Sequence, residues 1–561
     1  MPPRIFLPLR SVRLRRVLAG GLLVAACWPV QAQQPTAAGR PALLVLVVVD
    51  QMRAEYLTRY STPWTGGLRR LVDEGARYEQ TFYPYLNTVT CVGHATLGTG
   101  AWPKTHGIIL NQWYRRDEAR VRSCTFDPAA RAVVYSGRPG GEGHSATQLR
   151  VPTLAERLRT RWPGSRSVSL SLKPRSAIMM AGRGATAITW IGPGGWQTST
   201  AFTPAPLPSI TRRVAAHPID DDRSAVWERL RDAGSYSGPD DAAGERPEHG
   251  WTRQFPHPLT PPNATPAAFL ELWQSSPYGD AALGAMAVAA IDDFQLGQRD
   301  AVDFLGVSFS STDLVGHDFG PDSHEVQDTL ARLDRTMGTL LTALDAKVGR
   351  GNYALALSAD HGVATVPETA TAAGLSAGRV PLGVVRTTVD AALKDLGPAP
   401  PVARVEYTEV YLTEAARAHM TAARVAPALA ALRAMPGVAA AIWTPDLARV
   451  TDVPAPILAA VRASHVPDRS GDITIVPAPN WIFVPGSDAA CGTGTTHGSL
   501  HAYDQHVPLV FLGAPFAPGR YQAAASPADA APTLAATVGL AFTGVEGRPL
   551  TASARPAAPP K

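Results

Sequence analysis

The sequence predicts an α/β fold, a doubly wound and mostly parallel sheet with long inserted loops and a capping subdomain. Three observations predict it. Leu43–Val49 (LLVLVVV) is an unbroken apolar run, which suits a strand buried on both faces of a parallel sheet. Similar runs recur at 168–172, 187–191, 304–309 and 353–357, with helical patterns such as 281–294 and 326–344 between several of them. That alternation over hundreds of residues is the pattern of a wound sheet. Polar residues stand just after several of these runs, where such sheets bind their ligands.

At the N-terminus, Arg4, Arg10, Arg13, Arg15 and Arg16 precede an apolar run at 17–26 and a small-residue exit at Val30-Gln31-Ala32. This predicts a secretory signal peptide over 1–32 and a periplasmic or secreted protein. The run is too short to span a bilayer comfortably, and no other stretch reaches membrane length, so no transmembrane segment is expected in the mature chain. Arg15-Arg16 leaves twin-arginine export open, and Val24-Ala25-Ala26-Cys27 leaves a lipoprotein anchor at Cys27 open, although Trp28 is an unusual successor. Removing the five arginines from the 52 basic residues leaves 47, equal to the 47 acidic ones. A neutral mature chain gives no footing for a nucleic-acid partner. A 45% apolar and 18% charged composition excludes a disordered chain. The mature chain keeps Cys91, Cys124 and Cys491, an odd number, so one thiol is left over if a disulfide forms. No Cys-x-x-Cys pair exists, which argues against cysteine-bound zinc.

After a short lead, 67–76 reads as a helix, and the catalytic domain is expected over 33–365 and 481–551. Segments 112–150 and 192–262 are long loops. Residues 366–480 read as an inserted capping subdomain, and 552–561 as a disordered Ala/Pro tail.

The chemistry gathers at the strand ends. Asp50 follows the first run, Asp313 and His317 follow the run at 304–309, and Asp360-His361 follow that at 353–357. His497 stands in Thr495-Thr496-His497-Gly498-Ser499. Carboxylates and imidazoles without cysteine suit Zn2+ or another divalent ion of hydrolytic enzymes. The i, i+4 spacing of Asp313 and His317 brings both to one ion. Any one of these residues is commonly a cap, a turn or a solvated side chain; the force lies in their joint placement. In Asn87-Thr88-Val89-Thr90-Cys91 a helix opens near Thr90, with Thr90 at its cap, offering N–H groups to a phosphate. A metal-activated threonine hydroxyl is a nucleophile; Thr88 is the competing candidate. Lys173 and Arg175, either side of Pro174, can grip phosphoryl oxygens, and Asn111 can donate to them.

These motifs resemble the alkaline phosphatase superfamily, and within it the PafA-type alkaline phosphatases with a threonine nucleophile. The resemblance is carried by VVVDQMR around Asp50, NTVTCVGHATLGTG around Thr90, the Asn111 that follows His106-Gly107-Ile108, SLKPR, STDLVGHDFG, SADHG and THGS. It runs from about residue 43 to the C-terminal region, with weaker support across 192–262 and 366–480. It implies two Zn2+ ions. Thr90 is then the nucleophile and joins Asp50, Asp360 and His361 on one ion, while Asp313, His317 and His497 hold the other. Asn111, Lys173 and Arg175 then form the phosphate-binding trio. The steps of 21 residues from Thr90 to Asn111 and of 62 to Lys173 agree with the family layout and favour Thr90 over Thr88.

The expected activity is hydrolysis of small phosphate monoesters through a phosphothreonine intermediate, by a chain read as a monomer. A phosphodiesterase or nucleotide pyrophosphatase on the same fold is the alternative; Lys173 and Arg175 favour the monoester, whose dianion carries one more charge. A sulfatase lacks its Cys-x-Pro-x-Arg setting here. A binding protein on a decayed phosphatase scaffold would have lost a ligand, and none is lost.

Overall fold

The computed structural model describes residues 39–555. The signal peptide expected over 1–32, the arginine pair within it and the alternative anchor at Cys27 lie outside the described residues. Among the described residues no helix is long and apolar enough to cross a membrane.

An 11-stranded sheet organises the molecule. Its centre consists of β1 (Leu43–Val49), β2 (Ser167–Ser171), β3 (Ala187–Gly192), β4 (Asp303–Phe309) and β5 (Tyr353–Ser358), with β6 (Leu509–Gly513) alongside. Their spatial order is β6-β5-β1-β4-β2-β3. The first five in sequence are parallel to their neighbours, whereas β6 runs antiparallel to β5. The expected parallel sheet is therefore its core. Beyond β3 the sheet continues antiparallel, because Pro193-Gly194 closes a hairpin from β3 into Gly195–Ser199. All seven residues of β1 are fully buried, since strands flank both of its edges and other layers cover both of its faces. Each such side chain contributes about 1.5–3 kcal/mol relative to exposure.

The helices include α1 (Thr90–Thr99), α2 (Pro174–Ala181), α3 (Ser311–Phe319) and α4 (His324–Leu344). The last begins two residues before the periodicity suggests, because the Ser323 hydroxyl accepts from the Val326 N–H at 3.2 Å and caps it.

Within 366–484 a second, antiparallel sheet pairs Val402–Glu406, Glu409–Leu412, Ile473–Pro477 and Val438–Trp443 in that order. It has its own core, which includes Val389, Val410, Leu432 and Phe483. Trp481–Val484 pairs in parallel with Gly378–Pro381, so this unit extends past the boundary expected at 480.

The tail needs correction over residues 552–555. Ser553 is fully buried and its Oγ accepts from the Tyr78 hydroxyl at 3.0 Å, while its carbonyl accepts from the Ala517 N–H at 2.8 Å. Composition alone cannot show that a tail finds backbone partners in a loop between two strands.

Candidate active site

Parallel register delivers the polar residues to one place. Val49 pairs with Phe309 and Val48 with Ser358, and Ser308 pairs with Ser171. Asp50, Lys173, Asp313 and Asp360 lie one to four residues beyond those positions, so they meet at the carboxyl edge of the sheet. Helix α3 then sets Asp313 and His317 on one face, with Asp313 Oδ1 at 3.3 Å from His317 Nε2.

Helix α1 reaches this edge because Gly93 lacks a side chain. A Cβ there would lie 2.2 Å from the Asp360 carbonyl oxygen. The helix cap is Val89, in extended conformation and without a side-chain cap bond, so Thr90 is the first helical residue and not the cap expected from the sequence. Its hydroxyl is buried and has no hydrogen-bond partner.

The imidazoles and carboxylates form two groups of metal-capable donors, Asp50/Asp360/His361 and Asp313/His361/His497. The first group coincides with three ligands expected to share an ion. In the second, His361 stands where His317 was expected, although His317 remains beside Asp313. His361 and His497 stack at 3.4 Å between ring centroids. The three histidines share one orientation. Nδ1 of His317 meets the Thr495 carbonyl at 2.9 Å, that of His361 the Gly362 carbonyl at 2.9 Å, and that of His497 the Thr88 carbonyl at 2.8 Å. Carbonyls only accept, so Nδ1 carries the proton and Nε2 offers its lone pair to the centre, the usual support of a metal-bound histidine. Among the described residues Asp50 Oδ1 and His361 Nε2 are buried and make no hydrogen bond, and Asp360 Oδ2 faces ring nitrogens of His94 at 3.2 Å and His361 at 3.3 Å. These bare donors fit a cation.

The electrostatics agree with that fit. Burial pushes the Asp50 carboxyl well up, and Asp313 and Asp360 add to the effect. Burial acts the same way on Asp313, but Lys173 and His317 outweigh it and hold that carboxyl well below its usual range. Burial, reinforced by His361, lowers His497 well below the ordinary imidazole range and keeps it neutral.

The expected phosphate ligands divide. Asn111 and Arg175 line a cavity of about 330 Å³ together with His317 and His497. The Asn111 carboxamide oxygen accepts from the Cys91 N–H at 2.7 Å. Lys173 instead directs its ammonium between two carboxylates, at 2.6 Å from Asp50 Oδ2 and in contact with Asp313.

Sequence reasoning passed over several neighbours. Gln51 adopts a left-handed φ of 69° and donates its side-chain amide to Asp313 Oδ1 at 2.7 Å and its backbone N–H to Asp360 Oδ1 at 3.2 Å. His94 lies 3.2 Å from Asp360 Oδ2 and 2.8 Å from the Ser308 hydroxyl. Its position four residues after Thr90 was the available signal. Tyr407, which donates to the His497 carbonyl, and Glu406 wall the cavity from the second sheet, and nothing local marks them.

A family model described as "Type I phosphodiesterase / nucleotide pyrophosphatase" matches residues 44–500. The chain is 32% identical over 96% of its length, and 98% of the relative, to "Alkaline phosphatase PafA" of Elizabethkingia meningoseptica. It is 33% identical over 90% of its length, and 92% of the relative, to "Calcium-transporting ATPase" of Myroides odoratus. The crystal structure of wild-type PafA superposes with a TM-score of 0.85 at 31% identity, covering 92% of this chain and 100% of that one. A second PafA structure carries substitutions at a threonine, an asparagine, a lysine and an arginine at successive intervals of 21, 62 and 2 residues. Thr90, Asn111, Lys173 and Arg175 stand at those intervals here.

Proposed function

The chain belongs to the type I phosphodiesterase / nucleotide pyrophosphatase family, and from that premise we propose that it is an exported phosphate monoester hydrolase of the alkaline phosphatase type, working with two zinc ions and the Thr90 hydroxyl as nucleophile. The observation that carries this reading is the Thr90 hydroxyl itself, buried without a partner at the first turn of α1. Thr88, two residues earlier, holds His497 of one donor group, and Gly93 lets the same helix touch Asp360 of the other. The similarity to PafA, with the matching intervals of the four substituted residues, supports it.

Charge supports two divalent ions. With Asp50, Asp313 and Asp360 all ionised, as ligands of a cation would be, the three carboxylates outnumber Lys173 and Arg175 by one, so the ligand set would carry one negative charge. Two divalent ions turn it to three positive charges, which matches a dianion and an alkoxide. Asp50, Asp360 and His361 would hold one ion with Thr90, and Asp313, His317 and His497 the other. When bound, the ions supply Lewis-acid charge and lower the pKa of an attached hydroxyl or water.

The residues then divide the work. Arg175 and the Asn111 amide bind the non-bridging oxygens, and the free N–H groups at the start of α1 add positive potential. Thr90 Oγ attacks phosphorus in line with the leaving oxygen. Among the described residues no side chain hydrogen-bonds that hydroxyl; in the balanced step its proton ends on the leaving oxygen, which departs as an alcohol. The phosphothreonine that results is hydrolysed by water to inorganic phosphate. Small phosphate monoesters suit the cavity, and the terminal phosphoryl of ATP is monosubstituted in the same way. The chain acts as a monomer.

The family description favours a second reading, a phosphodiesterase. A paired rate assay separates them, using an aryl phosphate and its methyl diester, each after chelation with and without added zinc. Zinc-restored preference for the monoester by several decades is expected. Preference for the diester moves the assignment to the second reading, and turnover of neither removes both.

A further inference from the structure

A disulfide, Cys91–Cys124, at a sequence separation of 33, joins helix α1 to the residue opposite Asn111 at the base of a short hairpin. Cys91 directly follows Thr90. Asn111 and Cys124 stand just outside the last pair, Gln112 with Ser123, of the hairpin Gln112–Arg115/Arg120–Ser123. Two hydrogen bonds therefore converge on Asn111, and one disulfide joins their donors. The Asn111 side-chain oxygen accepts from the Cys91 N–H at 2.7 Å, its carbonyl accepts from the Cys124 N–H at 2.9 Å, and the disulfide closes the ring between those two donors. With its oxygen so engaged, the carboxamide keeps Nδ2 as its donor, and Asn111 lines the cavity together with Arg175 and His317.

The rest of the hairpin is held from the side of the second sheet, where Gln112 donates to Glu406 Oε1 at 2.7 Å and Tyr114 and Trp113 face Tyr411 and Arg469. Seven of its eight strand residues are exposed or only half-buried, Trp113 being the exception. A two-stranded hairpin with one buried side chain does not hold its register by itself. Both cysteines, in contrast, are fully buried.

We propose that the Cys91–Cys124 disulfide is a positioning element for the reaction: it fixes the Asn111 amide against the Thr90 oxygen, so that full affinity for the phosphoryl group requires the oxidised pair. The inference rests on the proposed role of Asn111 as a phosphate donor. The disulfide acts through Asn111, so its loss costs binding only where Asn111 is present.

The test is a double-mutant cycle on the zinc-loaded chain. It combines Cys91→Ala/Cys124→Ala with Asn111→Ala and reads kcat and KM for phenyl phosphate and the inhibition constant of inorganic phosphate. In the native background, loss of the disulfide is expected to weaken phosphate inhibition and lower kcat/KM by about tenfold; in the Asn111→Ala background, by less than about twofold. Equal factors in both backgrounds, or no change in either, overturn the proposal, because a disulfide that only stabilises the fold lowers Tm and gives additive effects. If Asn111→Ala itself leaves phosphate inhibition unchanged, the assignment of Asn111 fails, and this inference with it. Should the cysteine variant not fold, the folded wild-type chain and its Asn111→Ala variant are reduced with a water-soluble phosphine, which becomes the phosphine oxide with oxygen from water and leaves two thiols. Loss of phosphate inhibition that follows the thiol count in the wild type alone upholds the proposal, and parallel loss in both overturns it.

Discussion

Thr88 gives its hydroxyl to the Ser499 carbonyl at 2.8 Å, while the Thr90 hydroxyl, two residues on, has no partner. A group already committed to a buried acceptor is not free to attack. Thr90→Ala is therefore expected to lower kcat for an aryl phosphate by about 10⁴-fold or more, whereas Thr88→Ala costs one hydrogen bond and less than about tenfold. Steady-state rates at equal zinc occupancy check both, and a Thr90 variant with full activity ends the nucleophile assignment. The two basic residues separate in the same way. Arg175 lines the cavity and Lys173 lies between Asp50 and Asp313. Arg175→Ala is expected to depress monoester turnover at least tenfold more than diester turnover, about 1.4 kcal/mol of discrimination. Lys173→Ala is expected to change zinc content as well, read by metal analysis. Equal losses on both esters in the Arg175 variant contradict its charge-matching role.

At the scale of elements, α1 depends on its closeness to the Asp360 backbone just beyond β5. Gly93→Ala puts a methyl group 2.2 Å from the Asp360 carbonyl oxygen, where only backbone displacement relieves the clash. A cost of about 1–3 kcal/mol is expected in denaturant melts, with reduced zinc binding because Asp360 moves. Unchanged melts and metal content in that variant show that the contact is not tight. The second sheet carries its own pH dependence. Glu409 is buried and accepts from the Gly471 N–H at 2.8 Å. Burial is the largest influence on its carboxyl and pushes it from 4.5 to about 7. A carboxyl whose pKa rises on folding stabilises the fold fully below 4.5 and loses that contribution as pH climbs to about 7. Glu409→Gln removes the titration, so its stability relative to the parent chain is expected to rise between those two values. Melts at a series of pH values test this, and parallel curves refute it.

For the whole molecule, the site ties the first strand run to a loop more than 400 residues later, from Asp50 through His361 to His497. Metal binding is then linked to the stability of the entire sheet edge. Chelation is expected to abolish turnover and lower Tm by about 10 °C, with zinc restoring both. Activity that survives exhaustive chelation refutes the metal assignment. The strand runs and the residues closing them were legible because a parallel strand buried on both faces admits only apolar residues and releases the chain to polar ones at its carboxyl end. Legibility failed where partners come from afar. Glu406 and Tyr407 reach the cavity from a different sheet, and residues 552–555 find backbone partners at Pro515 and Ala517, in a loop between two strands, despite an Ala/Pro-rich composition.

The amino-acid sequence by itself determined the wound sheet, the strand ends that carry chemistry, and the candidates Asp50, Thr90, Asn111, Asp313, Asp360, His361 and His497, since local pattern and spacing encode all of these. Only the tertiary structure decided which threonine hydroxyl is free, which donors group with which, where the Lys173 ammonium rests, and that Cys91 pairs with Cys124 and leaves Cys491 exposed. The physical reason is that each of these depends on distances between residues far apart in the chain, and those distances are set by strand register and by the packing of α1 on α2 and on the Asp360 backbone.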